Sequence, residues 1–173
     1  MKKGFTLIEI LVYVGVMVII LMTVSSFFLW TNRLNTKTKV MNETIYNVRR
    51  AMEIMTYEIK SAEGVYTPTS VFSSNEGQLS LQTTRYLPEG ENKTYIDFYV
   101  CEYRLCLKKE DQNPIVLTSD NVQVNVLAFH YIATTSTAPS IQINLKVDYK
   151  APTNKPEHQA SVNTTSTASL RSY

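Results

Sequence analysis

Residues 10–30 carry no charged side chain, and that run constrains the rest of the chain. At about 1.5 Å of rise per residue, its 21 residues make roughly 31 Å of helix, which matches the hydrocarbon thickness of a bilayer. The stretch is predicted to cross a membrane. In front of it stand Met1, Lys2, Lys3 and Gly4, then Phe5-Thr6-Leu7-Ile8 and a lone acid, Glu9. A carboxylate in an apolar helix is disfavoured by about 2.5–3.5 kcal/mol at the bilayer centre, and by less near an interface. Glu9 therefore needs compensation.

A two-lysine leader followed by Gly4-Phe5-Thr6-Leu7-Ile8-Glu9 resembles the prepilin signal of the type IV pilin and type II secretion pseudopilin families. In those families a prepilin peptidase cuts after the glycine on the cytoplasmic side, and the new terminal amine is methylated. The resemblance implies a cut between Gly4 and Phe5, an N-methylated Phe5, and a mature chain of residues 5–173. It also implies that Glu9 pairs with the terminal amine of a neighbouring subunit, so that no uncompensated charge is left in a filament core. Phe5 and Glu9 are four residues apart, about one helical turn, so staggered subunits bring amine and carboxylate together. The bland alternative is an ordinary single-pass anchor whose Glu9 snorkels to the headgroups.

A conventional secretory signal fits less well. The apolar run exceeds the usual span of about 7–15 residues, and Val24-Ser25-Ser26 is a poor small-residue cleavage site. Flanking charge does not fix the orientation, because Lys2 and Lys3 compete with Arg33, Lys37 and Lys39 on the other side. The leader is placed in the cytoplasm by the cleavage motif. The resemblance thus implies a chain of the bacterial cytoplasmic (inner) membrane whose remaining domain is extracytoplasmic, then part of a cell-surface or periplasmic filament.

Of 173 residues, about 143 lie beyond the membrane run, enough for one modest domain with a single core. The division expected is a leader at 1–4, a membrane or filament-core helix at 5–30, and an α+β domain at 31–173. The formal charge of +2 includes Lys2 and Lys3, so the mature chain is neutral, with 15 basic and 15 acidic residues. A general nucleic-acid surface would carry a basic excess, so nucleic acid is an unlikely partner.

Beyond Trp30 the helix is expected to run to about residue 63, near 88 Å in all. Leu34, Met41, Ile45, Val48, Met52, Met55 and Ile59 follow at helical steps, and Gly64 stands after them as a C-terminal stop. That stripe reads as a core face, with a partner-binding coiled coil as the alternative. Strands are expected from about residue 78. Apolar residues alternate at Leu79 and Leu81, at Ile96, Phe98 and Val100, at Leu105 and Leu107, at Ile115 and Leu117, and at Ile141, Ile143, Leu145 and Val147. Val122, Val124 and Val126 change phase to Leu127, Phe129 and Tyr131, which predicts a bulge at 126–127. Half-apolar runs of this kind predict an antiparallel sheet with one buried face, covered by the only helix available. The fold class is α+β: a long N-terminal helix, membrane-spanning then amphipathic, packed on an antiparallel sheet.

Cys101 and Cys106 lie inside a strand-like stretch, and two ligands do not make a structural zinc site. A tight hairpin turning at Tyr103-Arg104 would set Cys101 opposite Cys106, with both cysteines on the face of Tyr95 and Tyr99. A disulfide is the expectation for an exported domain, and two reduced, buried cysteines are the alternative. The tail from 151 to 173 is rich in Thr, Ser and Asn and reads as disordered by composition. A final strand near 162–171 is nonetheless expected, because Ala168-Ser169-Leu170-Arg171 resembles the closing strand of J-type minor pseudopilins and W-type minor pilins.

Catalytic chemistry lacks its parts. The chain has five glycines and no phosphate-binding loop, nucleophile elbow or His-Glu-x-x-His pattern. His130 reads as a packed or rim histidine, Asp97 and Asp148 as solvated strand positions, and the sequons at Asn42, Asn92 and Asn163 as chance occurrences. No enzyme activity, catalytic residue, metal or cofactor is expected. What the resemblance implies is a minor pilin or pseudopilin, because a proline in the membrane half of the helix and a cysteine pair at the far C-terminus, both common in major pilins, are missing. Its partners would be other pilins or pseudopilins, the prepilin peptidase, the inner-membrane assembly platform and the lipid bilayer. Two other readings are a tip module that captures DNA or a surface, seeded by Arg104, Lys108 and Lys109, and an unprocessed anchored domain.

Overall fold

The structure, a computed structural model, describes Gly4 and residues 6–110, 112–134 and 137–171. The expectations for Lys2, Lys3 and Phe5 lie outside the described residues.

A single helix, α1 (Leu7–Ser61), runs without interruption through the apolar segment and into the domain. Thr6, extended at φ −82° and ψ 150°, caps it, its hydroxyl accepting from the Glu9 amide at 3.4 Å. Within the apolar part, the Thr23 hydroxyl donates to the Ile20 carbonyl at 2.8 Å and that of Thr31 to Phe27 at 3.0 Å. Bonds back onto the preceding turn satisfy these hydroxyls where no water is needed.

The helix ends two residues before the expected limit, and Gly64 is not its stop. Ala62 is already extended, at φ −74° and ψ 148°, and is buried. The chain passes straight into β1 (Gly64–Val65), a strand that the sequence did not suggest. The Glu63 amide donates to the Gln82 carbonyl at 2.9 Å, so sheet pairing ends the helix and no left-handed glycine cap is required.

The buried face of α1 is also rotated from the expected stripe. It consists of Val40, Thr44, Asn47, Val48, Ala51, Met55, Glu58 and Ile59, whereas Leu34 and Met41 are exposed and Ile45 and Met52 half-buried. Thr44 is admitted because its hydroxyl donates to the Val40 carbonyl at 2.9 Å. Asn47 is admitted because its Oδ1 accepts from the Ser119 amide at 2.8 Å, while its Nδ2 donates to the Glu43 carbonyl at 2.9 Å and to Ser119 Oγ at 3.2 Å. A count of apolar residues passes over such positions.

The strands form two antiparallel sheets where one was expected. The first has the order β1-β2-β3-β4-β5, with β2 (Leu79–Thr83), β3 (Thr94–Cys101), β4 (Arg104–Lys109) and β5 (Ile115–Val116). The second has the order β6-β7-β8, with β6 (Val122–Thr134), β7 (Thr137–Tyr149) and β8 (Ser161–Ser169). The break falls at 117–121, where the Asn47 bonds draw Ser119 onto the helix. In β6 the extra residue is Asn125, between Val124 opposite Val147 and Val126 opposite Lys146, one position before the expected bulge. Asn125 then reaches Asp148, which is half-buried and bonded, not a freely solvated strand position. Gly77 meets β6 so closely that an added Cβ would lie 2.8 Å from the Leu127 carbonyl oxygen.

The class is α+β, the long helix packing on antiparallel sheets. One core joins Val48, Ala51, Met55 and Ile59 of α1 with inward residues of both sheets, among them Leu81, Phe98, Leu127, Phe129, Ile143 and Leu145. The tail is ordered through β8, which pairs with β7 from Ser140–Ser169 to Asp148–Ser161 and seats Ala168 in the core, with Leu170 just beyond it also buried there. Asn47→Ala leaves the buried helix face and Ser119 short of partners, and is expected to lower stability by about 1–3 kcal/mol. Urea unfolding of the detergent-solubilised chain measures it, and a change below about 0.5 kcal/mol would show the bond set to be dispensable.

Candidate functional site

Every described residue from 6 to 30 is exposed, and the apolar ones point in all directions: Leu7 is 83% exposed, Leu21 54% and Trp30 59%. A helix apolar all round is stable only where lipid or other chains cover it. This one is long and apolar enough for a single membrane span.

At its head, Gly4 is exposed with open space around it, and Glu9 is exposed in the first turn of α1. The Glu9 amide also donates to the Thr6 carbonyl at 3.1 Å. Thr6 and Glu9 have the spacing of a capping box, a signal present in the sequence and passed over there. Negative charge at a helix N-terminus is stabilised by about 0.3–1 kcal/mol. That falls short of the roughly 2.5–3.5 kcal/mol that a carboxylate loses at the bilayer centre, so the cap does not remove the need for an interface or a cation near Glu9.

The cysteines are the second predicted pair. Glu102 and Tyr103, at φ 49° and 61°, form the two-residue turn between β3 and β4, where Tyr103-Arg104 was expected. Paired positions are therefore Cys101 with Arg104, Val100 with Leu105 and Tyr99 with Cys106. The register differs from expectation by two residues, which leaves each side chain on the face foreseen for it. Ile96, Phe98 and Val100 share the core face with Leu105 and Leu107, and the cysteines lie on the other. Cys101 and Cys106 are joined diagonally by a disulfide, with Cα atoms 5.9 Å apart.

Three features were not visible in the sequence. Arg104 Nη1 contacts Asp120 Oδ1 at 2.5 Å, and its Nη2 reaches Glu102 at 3.5 Å. Arg85 Nη2 donates to the Tyr57 hydroxyl at 2.9 Å, which raises the guanidinium pKa above its ordinary value and ties the β2–β3 loop to α1. Lys109 Nζ lies 3.5 Å from the Tyr86 ring centroid. His130 is half-buried, its Nδ1 3.3 Å from Ser73 Oγ. Among the described residues, no three His, Cys, Asp or Glu side chains converge as a metal site.

The disulfide closes a short loop, and loop-closure entropy for about six residues corresponds to about 2 kcal/mol. Reduction, or the Cys101→Ser/Cys106→Ser double substitution, is expected to lower unfolding stability by that amount. Denaturation with and without reductant checks it, and no difference would show that the hairpin sustains itself. Against known protein families, curated proteins and solved structures, the chain gives no match.

Proposed function

We propose that this chain is a minor pilin or pseudopilin, a structural and assembly subunit of a filament of the type IV pilus or type II secretion kind. The observation that carries the reading is the head of α1: in sequence the Gly4-Phe5-Thr6-Leu7-Ile8-Glu9 string leads into a helix, continuous from Leu7, whose residues up to 30 are all exposed. On this reading the chain waits in the cytoplasmic membrane, with residues 1–4 in the cytoplasm. A prepilin peptidase removes them, Phe5 is N-methylated, and the helix passes from lipid into the filament core with help from an inner-membrane assembly platform. Burial among neighbouring helices holds the subunit there, and Glu9 sets its register against a neighbour's terminal amine.

The domain supports a structural role over nucleic-acid capture. Of the three cations that would seed a basic patch, Arg104 is paired with Asp120 and Glu102, whereas Lys109 lies over the Tyr86 ring, which holds its ammonium without cancelling the charge. Less positive charge remains for a phosphate backbone.

Intact-mass measurement of the membrane-extracted chain, from cells with an active prepilin peptidase, is expected to show loss of residues 1–4 and one added methyl group. An uncut N-terminus sinks the proposal in favour of an unprocessed anchor. Glu9→Gln is expected to be processed normally yet depleted at least about tenfold from sheared filaments, because it leaves a buried amine unpaired. Undiminished incorporation would remove Glu9 from the assembly step.

A further inference from the structure

Where α1 leaves its apolar run, a cleft of about 560 Å³ opens against the short 3-10 turn Pro156–His158. Asn32, Arg33 and Thr36 line it from the helix, and Lys155, Glu157 and His158 line it from the other side. Lys37 fastens the two walls together, its ammonium donating to the Pro156 carbonyl at 3.2 Å and to that of Gln159. Among the described residues, neither the Arg33 nor the Lys155 side chain has a hydrogen-bond or ion-pair partner. Two free cations thus face one cleft with a single acid, Glu157.

We propose that this cleft binds the phosphodiester headgroup of an anionic phospholipid, which rests on reading residues 10–30 as a membrane span. Height along the helix selects the ligand. With Trp30 at the hydrocarbon boundary, Asn32, Arg33 and Thr36 stand about 3, 4.5 and 9 Å beyond it. The headgroup zone of each leaflet occupies about 5–8 Å outside the hydrocarbon, so the cleft opens at the level of the lipid phosphates. Trp30 is a residue type that marks such a boundary, and its ring lies against that of Phe27, centroids 6.2 Å apart. A guanidinium fork meets two phosphate oxygens at once, and with Lys155 offsetting Glu157 on the opposite wall the cleft keeps a net charge of +1, which matches the single negative charge of a phosphodiester. The site also gives a use to basic residues that work against the orientation of the span.

The full chain in detergent is offered phosphatidylglycerol, phosphatidylcholine or glycerol 3-phosphate, and retained adducts are read by native mass spectrometry. Phosphatidylglycerol is expected to be retained at least about fivefold over phosphatidylcholine, and glycerol 3-phosphate not at all. Arg33→Gln and Lys155→Gln, both at exposed positions, are each expected to weaken phosphatidylglycerol about fivefold, and about 25-fold together. Glu157→Gln is expected to strengthen it about fivefold, a gain that a misfolded variant does not produce. Equal retention of the two lipids, or variants that behave as the parent, overturns the site. Retention of glycerol 3-phosphate in place of lipid assigns the cleft to a soluble phosphate and overturns it too. Flotation with phosphatidylcholine vesicles separates the two readings: a chain that does not float loses the membrane span, whereas one that floats without preferring phosphatidylglycerol loses this site alone.

Discussion

The unbroken hydrogen-bond ladder of α1 is the constraint on which the rest of the molecule depends. It joins a segment with no buried residue between 6 and 30 to one whose Val48, Ala51, Met55 and Ile59 form the centre of the domain core. The helix runs without a break between the two, so the orientation of the domain is coupled to that of the apolar rod. Each large apolar side chain left in water forgoes about 1.5–3 kcal/mol of burial, and the first half exposes them on every side. Lipid or neighbouring helices must supply what the domain does not, whereas the second half is self-sufficient. Whatever environment covers the rod therefore also fixes where the domain stands.

Attachment of the domain is polar as well as apolar. Asn47 draws Ser119 onto the helix, Glu43 accepts from Asn121 Nδ2 at 2.6 Å, and Arg85 joins the β2–β3 loop to Tyr57. These bonds act at different heights on α1, and Lys37 adds one lower still, at the 3-10 turn. Apolar contact alone would let the helix rotate or slide over the sheets with little change in buried area. Directional bonds at several levels select one rotation and one height, and the buried face takes in Asn47 because its partner Ser119 is there, with Thr44, self-satisfied on Val40, and Ala51 beside it.

What the sequence made legible was periodicity, and what it hid was partnership. Alternation located β2, β3, β4, β6 and β7, and helical spacing located α1, because burying one face repeats at a fixed interval. The side of the β3–β4 hairpin that each residue occupies was also legible. Parity is set by the apolar residues, and it survives a slide of two positions. The slide itself was not legible, since it depends on Glu102 and Tyr103 taking left-handed conformations, and neither is the glycine or asparagine that signals such a turn. The two-residue β1 was hidden because two residues show no period, and the division into two sheets because the break at 117–121 carries no periodic signal and its Ser119 meets an asparagine distant in the chain. At the head of the helix the Gly4 to Glu9 string was plain, as was the Thr6-x-x-Glu9 spacing that the capping bond uses. The cleft at residues 32–36 was not, because its other wall lies more than a hundred residues away in the chain.

On the proposed reading, cutting after Gly4 places a positively charged amine beside a helix terminus whose own dipole is positive. The dipole disfavours that amine by the same order, about 0.3–1 kcal/mol, by which it favours Glu9. Within one subunit the two groups are four residues apart in sequence, and a solvent-exposed pair at that spacing on a helix is worth only about 0.3–0.5 kcal/mol. Self-pairing thus compensates the amine weakly while the site is wet. Between subunits in a dry core the same charges attract far more strongly, and leaving either one alone there is disfavoured by about 3–5 kcal/mol. The balance tips toward the neighbour only as water leaves, so register would be read late, after the apolar helices have come together. The Thr6 cap survives the cut, since Thr6 becomes the residue after the new terminus. The first turn then stays formed while Glu9 exchanges one amine for another.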